Sequence, residues 1–335
     1  MDRRDFLKGL AVLTPSLMVN GQDAGRAGRD RLGGLLPRRT LPGSGTALTM
    51  LGTGGYHIGW TSEKDAEATI EAALEGGVRF FDTAESYQDG VSETRYGKYL
   101  TPKYRDLVFL MTKSTAKTGP EAEQHLAGSL KRLNTDHLDL WQIHSLRDPD
   151  DVDARLSQGV LDVFLKAKAT GKVRLIGFTG HSNPAAHRRM LEHTADQKPF
   201  ATCQMPVNIL DPSRLSFIEG VIPMLQKQKV GLLAMKTLSD GRFFGRKEKM
   251  GEVQWSSDNP VAPARVSVED ALSFVWSLPV TVLITGAENA RLMKEKIAMA
   301  KSFTRMSEDK RQEIIKRVAD LSREGKVEYY KREIA

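Results

Sequence analysis

The chain has 335 residues, 40% of them apolar and 27% charged, enough to bury a sizeable core; no apolar run approaches the ~20 residues a bilayer-spanning helix needs. Its net charge is +7, but residues 1–40 hold eight Lys/Arg against four Asp, so only +3 is left for the rest. That balance argues against the clustered basic face of a nucleic-acid-binding protein. A single cysteine, Cys203, excludes an intrachain disulfide and any cysteine-ligated zinc or iron–sulfur site. It sits in the apolar run Ala201–Asn208 and reads as a buried structural thiol.

At the N-terminus, Asp2-Arg-Arg-Asp-Phe-Leu-Lys8 resembles the twin-arginine export signal, and the modest apolar stretch Gly9–Val19 and polar Asn20–Asp23 follow it. The resemblance implies export to the periplasm by the twin-arginine machinery, or a cytoplasmic protein if the signal is not used. Residues 21–37, rich in Gly and Arg, read as a linker. The chain is therefore divided into signal and linker (1–37) and a folded body (38–335).

From Arg38 onward short apolar strands alternate with amphipathic helices. Arg38–Ala47, punctuated by Pro42-Gly43, reads as a hairpin. Leu48–Tyr56 is a first strand ending in glycines, and Ser62 caps the helix that follows and stops at Gly76-Gly77. Strand two, from Val78, ends at Asp82 with Tyr87 five positions on, before a helix over Glu93–Leu100. Strand three, Val108–Lys113, precedes a helix from Pro120 to Leu133; strand four, Leu138–His144, precedes one over Arg155–Ala169. Val173–Phe178 is strand five, followed by a helix from Pro184 to His193, and strand six is the Cys203 run. A helix near Phe217–Lys229, strand seven (Val230–Met235), a polar insertion (Ser239–Ala264), a helix (Val268–Ser277) and strand eight (Val280–Ile284) come next. Helices over Asn289–Lys301 and Glu308–Glu324 end the chain. Eight β-then-α units with short connections predict an α/β fold, a (β/α)8 TIM barrel with an N-terminal hairpin and an extra C-terminal helix. A doubly wound sheet fits worse, because no GxGxxG turn follows the first strand.

Three successive strands thus bring Asp82 with Tyr87, Lys113 and His144 to one rim. Each alone has a plain structural reading: a capping acid, a loop tyrosine, a solvated lysine, a satisfied histidine. Together they form coherent chemistry. A phenol titrates near 10; an ammonium beside it lowers that value, and a carboxylate holds the ammonium in place. A histidine next to them orients a carbonyl oxygen, so the set can protonate that oxygen while hydride arrives at carbon. No side chain supplies hydride, so a nicotinamide cofactor is implied. A Schiff-base lyase built on Lys113 is a remoter reading.

These residues, with Phe81-Asp-Thr-Ala84, the Ser92-Glu93 and Gly97 run and Gln142-Ile-His144, resemble the aldo-keto reductase family over about residues 38–302. The resemblance implies a barrel that reduces an aldehyde or ketone to an alcohol, or the reverse, using NADP(H) more readily than NAD(H). Tyr87 would be the general acid, Lys113 and Asp82 would tune it, and His144 would orient the substrate. Cofactor contacts would fall at Gly52-Thr53-Gly54, Thr179, Gln204, Met235, Lys236, Gly286 and Arg291. Three departures from the family pattern stand out. Thr179-Gly180-His181 replace its usual Ser-Asn, Met235-Lys236 stand where many members place an aromatic, and Glu288 would oppose a 2′-phosphate where a Lys-Ser pair is usual. The alternative to an enzyme is a redox-sensing, cofactor-binding module of the same fold. Phe243, Phe244 and Trp255 in the insertion are candidates for shaping a substrate lid.

Overall fold

Eight parallel strands close on themselves in the computed structural model, which describes residues 28–244, 265–325 and 327–334. The twin-arginine-like run and most of the insertion, including Trp255, lie outside the described residues. The strands are β1 (Leu51–Gly54), β2 (Phe80–Asp82), β3 (Phe109–Ser114), β4 (Leu138–Leu146), β5 (Val173–Gly180), β6 (Thr202–Pro206), β7 (Gly231–Met235) and β8 (Val282–Thr285). Each pairs with its sequence neighbour, and β8 returns to β1 through Leu283–Leu51 and Thr285–Thr53. This is the expected (β/α)8 barrel.

Side chains alternate across each strand, so one register decides what enters the barrel. Phe80, Phe109, Met111, Leu140, Leu233, Val282 and Ile284 fill the interior with Leu41 and Leu48 from the hairpin. Their neighbours Phe81, Leu110, Trp141, Ile143, Ile176, Phe178, Cys203 and Leu232 face outward into the layer under the helices. Trp141, for example, stacks on Phe164 of the helix Val160–Ala169 with ring centroids 3.6 Å apart. Most helices start where a side-chain oxygen can take an unsatisfied N–H: Ser62, Thr118, Asp148, Asn183, Ser216, Ser267, Asn289 and Ser307 all cap in this way.

The hairpin is present as Arg38–Thr40 paired with Ala47–Thr49. Its Arg39 guanidinium donates to the carbonyls of Trp276 and Val280, near the entry of β8, so the hairpin closes the N-terminal mouth of the barrel. Four details differ from expectation. The first strand is split at Met50, whose N–H and carbonyl are taken by Pro37 and Leu283, and Tyr56 lies in the short helix Gly55–Trp60 instead of ending a strand. The segment 28–37, expected as linker, carries a small ladder (Arg29–Asp30 with Gly33–Gly34) fastened by Asp30 to the buried Arg79. The helix after β4 is two helices, Pro149–Ser157 and Val160–Ala169, because Gly159 takes a left-handed φ of 77°. The last helix is regular only over Glu308–Val318 and tightens into a 3₁₀ turn, Ala319–Gly325.

Among the described residues no helix is long and apolar enough to cross a membrane, and no group of three or more His, Cys, Asp or Glu is placed to hold a metal ion.

Candidate active site

The inward register carries Asp82, Lys113, His144, Gln204 and Met235 to the C-terminal rim, above the barrel's apolar layer. They surround or underlie a cavity of about 530 Å3, lined also by Gly54, Tyr56, His57, Tyr87, His181, Lys236, Gly286, Lys296 and Tyr330.

Lys113 is 1% exposed and its ammonium is fully engaged. Nζ lies 2.6 Å from Asp82 Oδ1, donates to the Thr83 carbonyl at 2.7 Å, and donates to the Tyr87 hydroxyl at 3.1 Å. Asp82 is held further by the Gly55 N–H and the Gln204 side chain. Tyr87 is presented by a tight loop in which Gln88, Asp89 and Gly90 all have positive φ. Behind β3, the buried Glu93 accepts from Thr112 (2.6 Å) and Arg132 (2.7 Å), and Ser92 donates to the Gly55 carbonyl; the Ser92-Glu93 pair therefore braces the site from outside.

His144 sits at an irregularity. The β4–β5 register shifts between Ile143 and Leu146, and Ser145 takes a left-handed φ of 55°. Such a bulge re-aims a side chain. The His144 ring packs edge-on to Tyr87 (centroids 5.8 Å apart) and to His181 (5.9 Å). Buried Arg155 clamps the bulge by donating to the carbonyls of His144 (2.8 Å) and Ser145 (3.1 Å), and is itself paired with Asp151 at 3.0 Å.

The electrostatics differ from the expected lowering of the tyrosine. Burial pushes the Tyr87 phenol above its usual value, and Asp82 adds to this; Lys113 pulls it down without overcoming the rise. Burial likewise raises Asp82 against the pull of Lys113. Lys113 is disfavoured by burial, yet Asp82 and Tyr87 together raise it, so its charge is secured. Burial and the charge on Lys113 drive His144 well below the ordinary histidine range, and burial with Lys236 does the same to His181. Both imidazoles are neutral.

The cofactor positions divide by register. Gly54, Gln204, Met235, Lys236 and Gly286 line the cavity. Gln204 Oε1 is buried with no hydrogen-bond partner, a ready acceptor for an amide. Thr53 points the other way along β1 and is wholly buried, while Gly52 lies a layer deeper, where an added Cβ would come within 2.6 Å of the Phe80 ring. Thr179 faces inward beside Gln204 but is buried beneath the cavity floor. Arg291 points away: its side chain is 54% exposed and paired with Glu295 on the same helix.

Several cavity residues had no clear sequence signal. Tyr56 and His57 come from the short helix after β1, and Lys296 comes from the helix Ala290–Ser302, where its ammonium donates to the Gly286 carbonyl. Tyr329 and Tyr330 arrive from the C-terminal segment Tyr329–Ile334, which is fastened by Lys331 to Asp211 (2.8 Å) and Glu328 (3.0 Å), all three fully buried.

Comparison with known proteins agrees with this geometry. The sequence profile of the Aldo/keto reductase family matches residues 50–298, most of the chain. The chain belongs to the Aldo/keto reductase family. Among its relatives, Aldo-keto reductase YhdN of Bacillus subtilis (strain 168) is 29% identical over 224 residues, which cover 62% of this chain and 63% of that protein, less than two thirds of its length. The aldo-keto reductase AKR11C1 from Bacillus halodurans, holo form, superposes with a TM-score of 0.68 at 23% identity, covering 84% of this chain and 96% of that one. An aldo-keto reductase from Klebsiella pneumoniae, solved in complex with NADPH, superposes with a TM-score of 0.64 at 22% identity, covering 83% and 94%. At these identities the two structures attest the shared barrel.

Proposed function

We propose that this aldo-keto reductase family member is an NAD(P)H-dependent oxidoreductase that reduces an aldehyde or ketone to an alcohol, or runs the reverse, with Tyr87 as general acid. The single observation that carries the reading is the Lys113 ammonium, which touches at once the Asp82 carboxylate and the Tyr87 hydroxyl, two residues that line the cavity.

The cavity suits a nicotinamide. Met235 offers an apolar surface to a ring, the buried Gln204 oxygen awaits an amide N–H, and Lys236 contributes a cation toward phosphate. When bound, the cofactor supplies the hydride. The protein's part is the proton. Tyr87 gives its proton to the carbonyl oxygen, and Lys113 stabilises the phenolate left behind, held in place by Asp82. His144 is neutral. Its Nδ1 is buried without a partner, and with the proton on Nε2 the ring can donate to the same oxygen. The secured charge on Lys113 speaks against a Schiff-base lyase, which needs a free amine. NADP(H) is proposed over NAD(H), with support from Lys236 and from the NADPH-bound Klebsiella pneumoniae relative; Glu288, buried beside His57, is the residue that opposes this preference.

The test is a comparison of the purified protein with Tyr87→Phe across aldehydes and ketones, using NADPH and NADH in turn. The variant should lose reductase activity by about 100-fold or more. Retention of full activity by the variant would overturn the reading.

We also propose export by the twin-arginine route, resting on the Arg3-Arg4-Asp5-Phe6-Leu7-Lys8 run. Cell fractionation should find the protein in the periplasm, and replacing both arginines by lysine should retain it in the cytoplasm. An unchanged distribution would sink this idea.

A further inference from the structure

Tyr87 is carried to the rim by the loop after β2, and that loop holds a buried acid of its own. Glu85 stands two residues before Tyr87, and its side chain is only 8% exposed. Oε1 accepts from the Thr115 N–H at 2.7 Å and from the Thr115 hydroxyl at 2.5 Å, just past the end of β3. The Glu85 N–H donates in the same direction, to the Lys113 carbonyl at 3.5 Å. His125, from the helix Gly119–Arg132, closes the other side: its Nδ1 lies 3.4 Å from Oε1 and 2.9 Å from the Ser114 hydroxyl. Oε2 is buried with no hydrogen-bond partner. A carboxylate buried with an open oxygen costs more than the tie to Thr115 requires, since an amide or a hydroxyl accepts from that N–H as well.

We infer that Glu85 is a positioning residue of the reductase site: its carboxylate ties the Tyr87 loop to the end of β3 and sets a second negative charge, after Asp82, within reach of the phenol. The inference rests on the reductase reading above. The tie is geometric. Directly after Tyr87 the loop turns through three positive-φ residues, Gln88, Asp89 and Gly90, so its entry has to be held for the hydroxyl to stay 3.1 Å from the Lys113 ammonium. The charge acts on the proton. Around the phenol stand Lys113 and Asp82 from the strand ends, neutral His144 from β4 and Glu85 from its own loop. Around Glu85 stand His125 and, beyond it, Glu121 of the same helix. Burial is the chief cause that raises Tyr87, and Lys113 opposes it; Asp82 and then Glu85 add to the rise. Lys113 is already paired with Asp82, so the charge of Glu85 favours the protonated phenol, the form that donates to a carbonyl oxygen.

The experiment follows reduction of benzaldehyde by NADPH against pH in the wild-type protein, Glu85→Gln and Glu85→Ala. Ultraviolet difference titration of each against the same protein carrying Tyr87→Phe reads the ionisation of that one phenol, whether or not the variant turns over. Glu85→Gln keeps an oxygen for the Thr115 N–H and removes the charge. Its fall in kcat/KM at high pH, and its Tyr87 ionisation, should both move down by about half a pH unit or more. Glu85→Ala removes the tie as well, so its kcat near neutral pH should drop by about tenfold with KM little changed, and Glu85→Gln should recover part of that loss. A Tyr87 ionisation that stays at the wild-type pH in Glu85→Gln, or a wild-type kcat in Glu85→Ala, overturns the assignment while the reductase reading stands. Reduction of the aldehyde by Tyr87→Phe as fast as by wild type overturns both.

Discussion

The Arg155 guanidinium donates to the carbonyl oxygen of His144 at 2.8 Å, and through Ser145 it grips both residues of the β4 bulge. It acts on the backbone, so it sets where the imidazole points without touching the cavity. Arg155→Met should therefore lower kcat more than it raises KM. It should also destabilise the fold by about 3 kcal/mol, because Asp151 stays buried with only the more exposed Lys117 and Arg147 as cations. Denaturant unfolding checks the second effect, and steady-state kinetics check the first. A variant with wild-type kcat would show that the bulge holds itself.

Tyr87 must be protonated to reduce a carbonyl and ionised to oxidise an alcohol. Burial holds the phenol above its usual value of about 10, with Lys113 opposing. For the free protein, kcat/KM for reduction should stay level through neutral pH and fall only above about pH 10. In the oxidation direction it should climb toward that same pH. Lys113→Met removes the downward pull, so the oxidation limb should move to still higher pH, and activity near pH 8 should suffer more in oxidation than in reduction. The check is a pair of pH profiles, one per direction; a limb moving to lower pH would contradict the assigned role of Lys113.

How much of this was legible follows from strand register. Asp82, Lys113 and His144 end apolar runs at inward positions, so reading where each run stopped was enough to bring them together. Gln204 and Met235 share that parity and do line the cavity, whereas Thr53 has the opposite parity and turns to the helix layer. Gly52 has the right parity but lies one layer too deep. Arg291 was placed by its nearness to the β8 turn, yet helical geometry sends it to solvent and sends Lys296, five residues on, inward. His181 and Tyr330 follow no periodicity, since a loop and a tail are positioned by what they pack against. The clamp by Arg155 was equally invisible: it depends on a bulge, and nothing in Leu138–Leu146 announces one.

The tail should be a stability element as well as a wall. Lys331 lies between Asp211, which also accepts from the Phe217 and Ile218 N–H groups, and Glu328, which accepts from Asn208 and Tyr330. Lys331→Met leaves two buried carboxylates without their cation and should cost about 3–5 kcal/mol. Pairing it with Glu328→Gln should recover part of that loss. Thermal and denaturant unfolding of the single and double variants decide this, and a loss below about 1 kcal/mol would mean the tail is held by its aromatic packing instead.

Lys296 gives the folded protein a pH signature in its stability. Burial lowers its ammonium to about 8, with Glu288 and Glu295 pulling the other way. In the unfolded chain it titrates near 10.5. Between those two values the unfolded state binds a proton that the folded state does not, so stability rises with pH across that window. The whole of the gain is present above about pH 10.5 and absent below about pH 8. Lys296→Met removes the titration, and its unfolding free energy should lose this rise, which linkage puts at roughly 3 kcal/mol. Urea unfolding at half-unit steps from about pH 7 to about pH 11 tests the point. Parallel curves for the two proteins would mean that Glu288 and Glu295 compensate the burial of Lys296 in full.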